Sequence, residues 1–210
     1  MTAQGVKRAA HRPSRRREII DAATVVFARE GYAEANIEDI AQAAGVAPTA
    51  IYYHFGGKEE LFAQALRGAL NGFSDRIFQV RPDTKAGSIE SLRTVVRAGW
   101  DFWYAHPDAA RLVGRYSEGS TAHALQLRRE WELRHLERAY DYVPEARTSR
   151  STRKAREQHA AHTLAIGVLL DTVLVSQAAA LDGAFGRLLA RGRLESAVEE
   201  MCVAIILSLR

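Results

Sequence analysis

The chain has 210 residues, 47% of them hydrophobic and 26% charged, which excludes wholesale disorder and allows one large or two small domains with a real core. Its formal charge of +4 is unevenly placed: Lys7, Arg8, Arg12, Arg15, Arg16 and Arg17 stand in the first 17 residues without a carboxylate, leaving 23 basic and 25 acidic residues elsewhere. One cysteine, Cys202, excludes an internal disulfide and a cysteine-rich metal site and suits a reducing compartment.

The basic start fits an arm for a polyanion, or a solubilising tail. It is not read as a signal peptide, because charges interrupt the apolar residues of "EIIDAATVVFAREG". Ile19, Ile20, Ala23, Val26 and Phe27 form one helical stripe, opened by Ser14 after Pro13 and stopped by Gly31. Asn36 is placed to cap a second, short helix whose apolar face is Ile37, Ile40, Ala41 and Ala44, with Asp39 favourable in the first turn. Gly45 ends it. Pro48 starts a third helix reaching about His54, and Gly56 and Gly57 stop that one before "KEELFAQALRGALNGF" begins a longer helix. Beyond the loop "RPDTKAGS", helices are expected over 88–105, 107–118, 120–142, 152–182 and 194–209, with "PEARTSRSTRKAR" as a polar connector. Strand signals are nearly absent. The expected fold is all-α: a basic arm at 1–13, a three-helix unit at 14–58 and a helical bundle at 59–210.

The stretch 160–181 is apolar enough to suggest a membrane span, but it carries His162, Asp171 and Gln177. A mid-span Asp costs about 2.5–3.5 kcal/mol on insertion scales. A helix buried inside protein is the better account, with no membrane partner and a cytoplasmic location expected.

Two short helices joined by Gly45-Val46-Ala47 fit a helix-turn-helix. With Ile51 facing inward and about 100° per residue, Ala47 and Phe55 fall on the buried side and His54 at its margin. Thr49 and Tyr53 point outward, flanked by Tyr52 and Ala50. Displayed Tyr and Thr side chains can donate to phosphates or meet base edges, and Lys58 adds charge at the next helix, whose free N–H groups suit a phosphate. The same face could serve a protein partner, where exposed Tyr is common. With the basic arm and the helix-turn-helix spacing, DNA is the preferred partner.

The segment "GYAEANIEDIAQAAGVAPTAIYYHFGGKEELF" (Gly31–Phe62) resembles the DNA-binding region of the tetracycline-repressor (TetR) family of bacterial transcription regulators. The likeness covers roughly residues 14–66, and "HPDAARL" adds a weaker echo further on. It implies an all-helical homodimer whose third helix enters the major groove of an operator and whose larger domain binds a small-molecule effector. Carried onto this chain, it makes Asn36 a phosphate-contacting cap and Pro48, Thr49 and Ala50 the base-reading start of the recognition helix. Tyr52, Tyr53 and His54 become phosphate and base contacts, and Lys58 a backbone contact. Three residues depart from the family pattern: Ala47 stands for a usual Ser cap, Gly57 for a frequent Ser, and Glu38 where several relatives carry a base-contacting Arg. Glu38 would repel phosphate or accept from a cytosine amine, so no relative's operator can be borrowed.

In the larger part, Val96, Trp100, Trp103 and Tyr104 share a helical face that Phe73 and Tyr116 could join. Such a stripe is ordinary core or the wall of an apolar ligand pocket; His162 and Leu169 are the other candidate lining residues. The 152–182 helix, apolar on nearly all sides, needs a second cover. Val168, Val173 and Val175 with Ala197, Met201, Ala204, Ile205 and Ser208 are the candidate dimer seam. His159 and His162 have no acidic or thiol neighbour at metal-ligand spacing, so no metal or cofactor is expected. No HExxH, P-loop or serine elbow is present, which argues against an enzyme. The expected function is a ligand-responsive DNA-binding regulator, a repressor released by a small apolar or amphipathic molecule. The alternative is a constitutive DNA binder without a ligand.

Overall fold

Caps and glycines divide the chain into helices, and the tertiary packing follows from the stripes between them. The computed structural model describes residues 15–80, 88–115, 121–139, 152–158, 160–161, 164–165, 167–168, 172–173 and 191–208. Regular elements there are α1 (Arg15–Glu30), α2 (Ile37–Ala44), α3 (Pro48–Phe55), α4 (Lys58–Gln79), α5 (Ile89–Ala105), α6 (Pro107–Arg115), α7 (Ala122–Ala139) and α8 (Arg191–Leu207). The described positions of the 152–182 segment from 153 onwards are also helical, and no strand occurs among the described residues. No described helix is long and apolar enough to cross a membrane.

Each boundary has a local cause. Asn36 is extended (φ −120°, ψ 161°) and its side chain accepts from the Asp39 N–H at 2.7 Å, which starts α2. Gly45 ends α2 in the left-handed region (φ 64°), a conformation that strains any L side chain. Ser88 caps α5 by accepting from the Ser91 N–H at 3.0 Å, and Thr121 caps α7 by accepting from Ala124 at 3.2 Å.

The first three helices close over Ile19, Phe27, Ile40, Ile51 and Phe55, with α4 contributing Leu61, Phe62 and Leu66. Phe27 and Phe62 meet edge to face at 5.0 Å, and Tyr32 lies 5.0 Å from Phe62. α4 is the central element. It spans 22 residues, about 33 Å at 1.5 Å per residue, and packs on α1, α3, α5, α6 and α7. α1 also packs directly on α6, so the first helix touches both parts of the molecule.

The larger core is aromatic. Trp103 stacks on Phe73 at 4.9 Å and Trp131 lies 5.9 Å from the same ring, all three buried. Beside them sits a polar chain: Trp131 Nε1 lies 3.0 Å from the Leu70 carbonyl and 2.8 Å from Ser74 Oγ, and His135 bridges Ser74 Oγ (3.4 Å) and the Trp131 carbonyl (3.1 Å). A ring protonated on Nδ1 donates to the Trp131 carbonyl. The indole N–H serves Ser74 Oγ and the Leu70 carbonyl, and the Ser74 hydroxyl donates to the Leu70 carbonyl at 2.9 Å while facing His135 Nε2. Burial holds His135 neutral, its pKa pushed down to about 4; the Trp131 carbonyl opposes that shift and the charges of Arg134 and Arg128 add to it.

α8 is hooked to α5 by charge. Arg97 donates to Glu199 at 2.7 and 3.0 Å, and Arg93 reaches Glu199 and, at 2.8 Å, Glu200. Burial pushes the Glu199 carboxyl up, but hydrogen bonds from Arg97 and Arg93 outweigh it and hold the carboxyl below its usual range. Burial, with the nearby Glu199 charge, pushes the Cys202 thiol up to about 12, which makes it inert.

The structure corrects three expectations. Ala47 is exposed, because it is the extended N-cap of α3 (φ −72°, ψ 147°) and helical phase does not extend to a non-helical residue. Tyr104 is 49% exposed rather than in the aromatic wall; the arc facing α4 ends at Trp103. Val173 is buried within the chain, so it cannot also form an intersubunit seam. Tyr116, His162, Leu169 and Val175, with His159, Asp171 and the arm 1–13, lie outside the described residues.

Candidate nucleic-acid interface

α2 and α3 are held at their turn by backbone bonds: the Gly45 N–H donates to Gln42 at 3.1 Å and the Val46 N–H to Ala41 at 3.0 Å. With Ile51 and Phe55 buried as anchors, the phase of α3 is set and its opposite face is displayed. Tyr53 is 86% exposed, Tyr52 54%, and Pro48 and Thr49 are also exposed. Ala50 and His54 are half-buried at the edges of this face, and the Tyr53 and His54 rings meet edge to face at 5.1 Å. Large rings left in water on a helix anchored from behind form a contact surface awaiting something outside the chain.

Donors surround that face. Asn36 is exposed at the start of α2; besides capping Asp39, its Nδ2 donates to the Asp39 carboxylate at 2.6 Å. Ala47 and Gly57 offer no side-chain cap to α3 and α4, so the first N–H groups of these helices have no partner of that kind. Glu38 is exposed in the first turn of α2, placing a carboxylate beside the donors.

Two cations are positioned by contacts that spacing could not reveal. Lys58 Nζ donates to the Ala33 carbonyl at 2.9 Å and stands 4.8 Å from the Tyr32 ring centre, tying the start of α4 to the turn between α1 and α2. An ammonium has three donors, so this bond leaves capacity for an anion. Burial raises the Tyr32 pKa, and the charge of Glu59 adds to it. Arg16 stands over the Phe55 ring at 4.9 Å, bringing a guanidinium to the end of α3. Its neighbours are less available: Arg15 pairs with Glu18 at 3.1 Å and Arg17 approaches Asp21 at 4.0 Å. The only sequence signal for Arg16 was membership of the basic run.

Of the larger-domain candidates, Phe73, Trp100 and Trp103 are brought together as packed core. On α8, the seam candidates Ala197, Met201 (53% exposed), Ala204 and Ser208 recur along one outward stripe, while Ile205 is half-buried and Val168 is exposed on the 152–182 segment. Val198, Cys202, Val203 and Ile206 face inward. Among the described residues no group of three or more His, Cys, Asp or Glu could hold a metal ion.

Comparison with known proteins agrees with this geometry. Residues 19–65 match the family described as bacterial regulatory proteins, tetR family. The HTH-type transcriptional repressor NicS of Pseudomonas putida is 32% identical over 109 residues, 52% of this chain and 51% of that protein. The HTH-type transcriptional repressor KstR2 of Mycobacterium tuberculosis is 33% identical over 88 residues, 42% of this chain and 44% of that protein. The matched stretch thus spans about half the length of these relatives or less. In three dimensions, a tetR-family transcriptional regulator from Streptomyces coelicolor superposes with a TM-score of 0.70 at 21% identity, covering 98% of this chain and 83% of that one. That likeness extends the shared fold beyond the matched N-terminal segment. Residues 19–65 are thus similar to the helix-turn-helix segment of the tetR family of bacterial regulatory proteins, and the helical fold around them is one that regulators of this kind share.

Proposed function

We propose that the chain is a homodimeric, cytoplasmic transcriptional regulator that represses by gripping an operator with α3 and releases it when a small apolar or amphipathic molecule binds. The observation that carries the reading is the outward face of α3, where Thr49, Tyr52 and Tyr53 stand exposed on a helix anchored by Ile51 and Phe55. Pro48, Thr49 and Ala50 would address base edges, and Asn36, Tyr52, Tyr53, His54 and Lys58 the backbone and flanking bases. The exposed stripe of Ala197, Met201, Ala204 and Ser208 supports self-association through α8.

Two copies of α3 must stand about 34–36 Å apart to enter successive major grooves. An effector that prefers a bundle shape with another spacing must weaken operator binding by linkage. α4, packed on both parts, is the lever this scheme requires. A thermal-shift screen would find a stabilising compound, and anisotropy of a labelled operator with and without it tests the switch. At least about a ten-fold loss of affinity is expected, or about 1.4 kcal/mol of coupling.

A constitutive DNA binder is the second reading, favoured by the mutual packing of Phe73, Trp103 and Trp131. Operator affinity indifferent to every stabilising compound would select it. The relatives are named as transcription regulators, which supports a non-enzymatic role here.

A further inference from the structure

A cleft of about 770 Å³ opens between α1, α4 and the corner where α5 turns into α6. It is separate from the aromatic core: Phe73, Trp100 and Trp103 do not line it. Its apolar lining includes Ile20, Ala69, Gly72, Phe102 and Ala105. A volume of roughly 300–1,000 Å³ is usual for small-molecule sites.

Two glycines of α4 line the cleft, and they differ in cause. At Gly72 an added Cβ would come 3.1 Å from the Phe102 ring, so close packing accounts for glycine there. Gly68 has no such reason. A Cβ would meet only Ile20 Cγ2, at an ordinary 3.9 Å, and would otherwise project into the open cleft. Glycine inside a helix is less stable than alanine, so α4 gives up helix stability at Gly68 with nothing but open volume in return.

The cleft lining holds three arginines and three aspartates, but they are unevenly paired. Arg17 approaches Asp21 and Asp108 is paired with Arg111 at 3.3 Å. Arg16 lies over the Phe55 ring, which leaves its charge uncompensated, and Arg67 makes no hydrogen bond or ion pair among the described residues. Against these two guanidinium groups stands the exposed carboxylate of Asp75.

We infer that this cleft is a small-molecule site distinct from the aromatic core, taking an amphipathic anion whose apolar body lies along Gly68, Ala69 and Phe102 and whose acidic head meets Arg67 and Arg16. The inference goes beyond operator binding and does not depend on it, because the site is assayed without DNA.

The probes are a matched pair: 8-anilinonaphthalene-1-sulfonate, with an apolar body and a sulfonate, and the uncharged N-phenyl-1-naphthylamine. Fluorescence titration of the full chain should show saturable binding of the sulfonate. Gly68→Leu, which fills the cleft while improving helix propensity, should weaken both probes about ten-fold or more without lowering the melting temperature. Arg67→Gln should weaken the sulfonate about ten-fold and leave the uncharged probe within about two-fold. Should Gly68→Leu disturb folding, the two-probe comparison in Arg67→Gln decides alone. No binding of the sulfonate by the wild type would overturn the inference. So would full retention of sulfonate affinity in Arg67→Gln, or an equal loss for both probes in that variant.

Discussion

Tyr53 is the residue that best separates display from packing. Its ring is nearly free of the protein, so removing it should leave the fold intact and affect only what the ring touches outside. A hydrogen bond to a charged group such as phosphate is worth about 1.5–3 kcal/mol. Tyr53→Ala should therefore weaken operator binding about ten-fold or more, measured by anisotropy, with an unchanged melting curve. His135 makes the opposite case, a titratable side chain with no outside partner. Its folded pKa is pushed down to about 4, below the ordinary 6.5, so the unfolded chain binds the proton first as pH falls. The neutral ring's contribution is complete above about pH 6.5 and is lost progressively down to about pH 4, roughly 3 kcal/mol in all. Denaturant titrations should find that stability falls more steeply across this window in the wild type than in His135→Phe; parallel curves would remove the buried-neutral assignment. Both side chains differ in legibility. Tyr53 could be placed outward by counting from Ile51, and Trp131 stands one helical turn before His135 on α7, but Ser74 reaches them from α4 across about sixty residues that no spacing rule joins.

Among the elements, α2 and α3 were the most readable because their signals are local. Asn36 caps, Gly45 turns left-handed and Pro48 stands at the first position, each within a few residues of the boundary it creates. Where local phase ends, periodicity misplaces a residue: a helical wheel turns Ala47 inward, but it is extended and exposed. That same residue gives a test. α3 lacks a side-chain cap, so Ala47→Ser should raise stability by about 0.5–2 kcal/mol, seen as a higher denaturation midpoint with an unchanged slope. Long-range couplings were illegible. Lys58 reaches back 25 residues to Ala33, and Arg97 reaches 102 residues forward to Glu199. Nothing in one sequence distinguishes such a pair from two solvated charges. The ridge of α8 was legible, since Ala197, Met201, Ala204 and Ser208 repeat at helical spacing, although Val173 proved to belong to the inside.

At the scale of the molecule, the proposed operator recognition calls for two copies, and the reading puts the second against the exposed stripe of α8. A charge in the middle of a buried seam leaves an unpaired ion desolvated, a cost no rim contact offsets. Met201→Arg should therefore convert a dimer to a monomer in sedimentation experiments and abolish high-affinity operator binding, with the helical content retained. Wild type and variant sedimenting alike would relocate the seam. The cleft between α1, α4 and the α5–α6 corner could not be anticipated from the sequence, because its walls meet only after the first helix folds back against the sixth.

The most direct measurement is selection of duplexes from a random library by the full-length protein, followed by footprinting of the winners. An enriched sequence with twofold symmetry is expected, protected in successive major grooves on one face, with that enrichment lost in Tyr53→Ala. Enrichment of no sequence, or of the same sequence with undiminished affinity by Tyr53→Ala, would contradict that expectation.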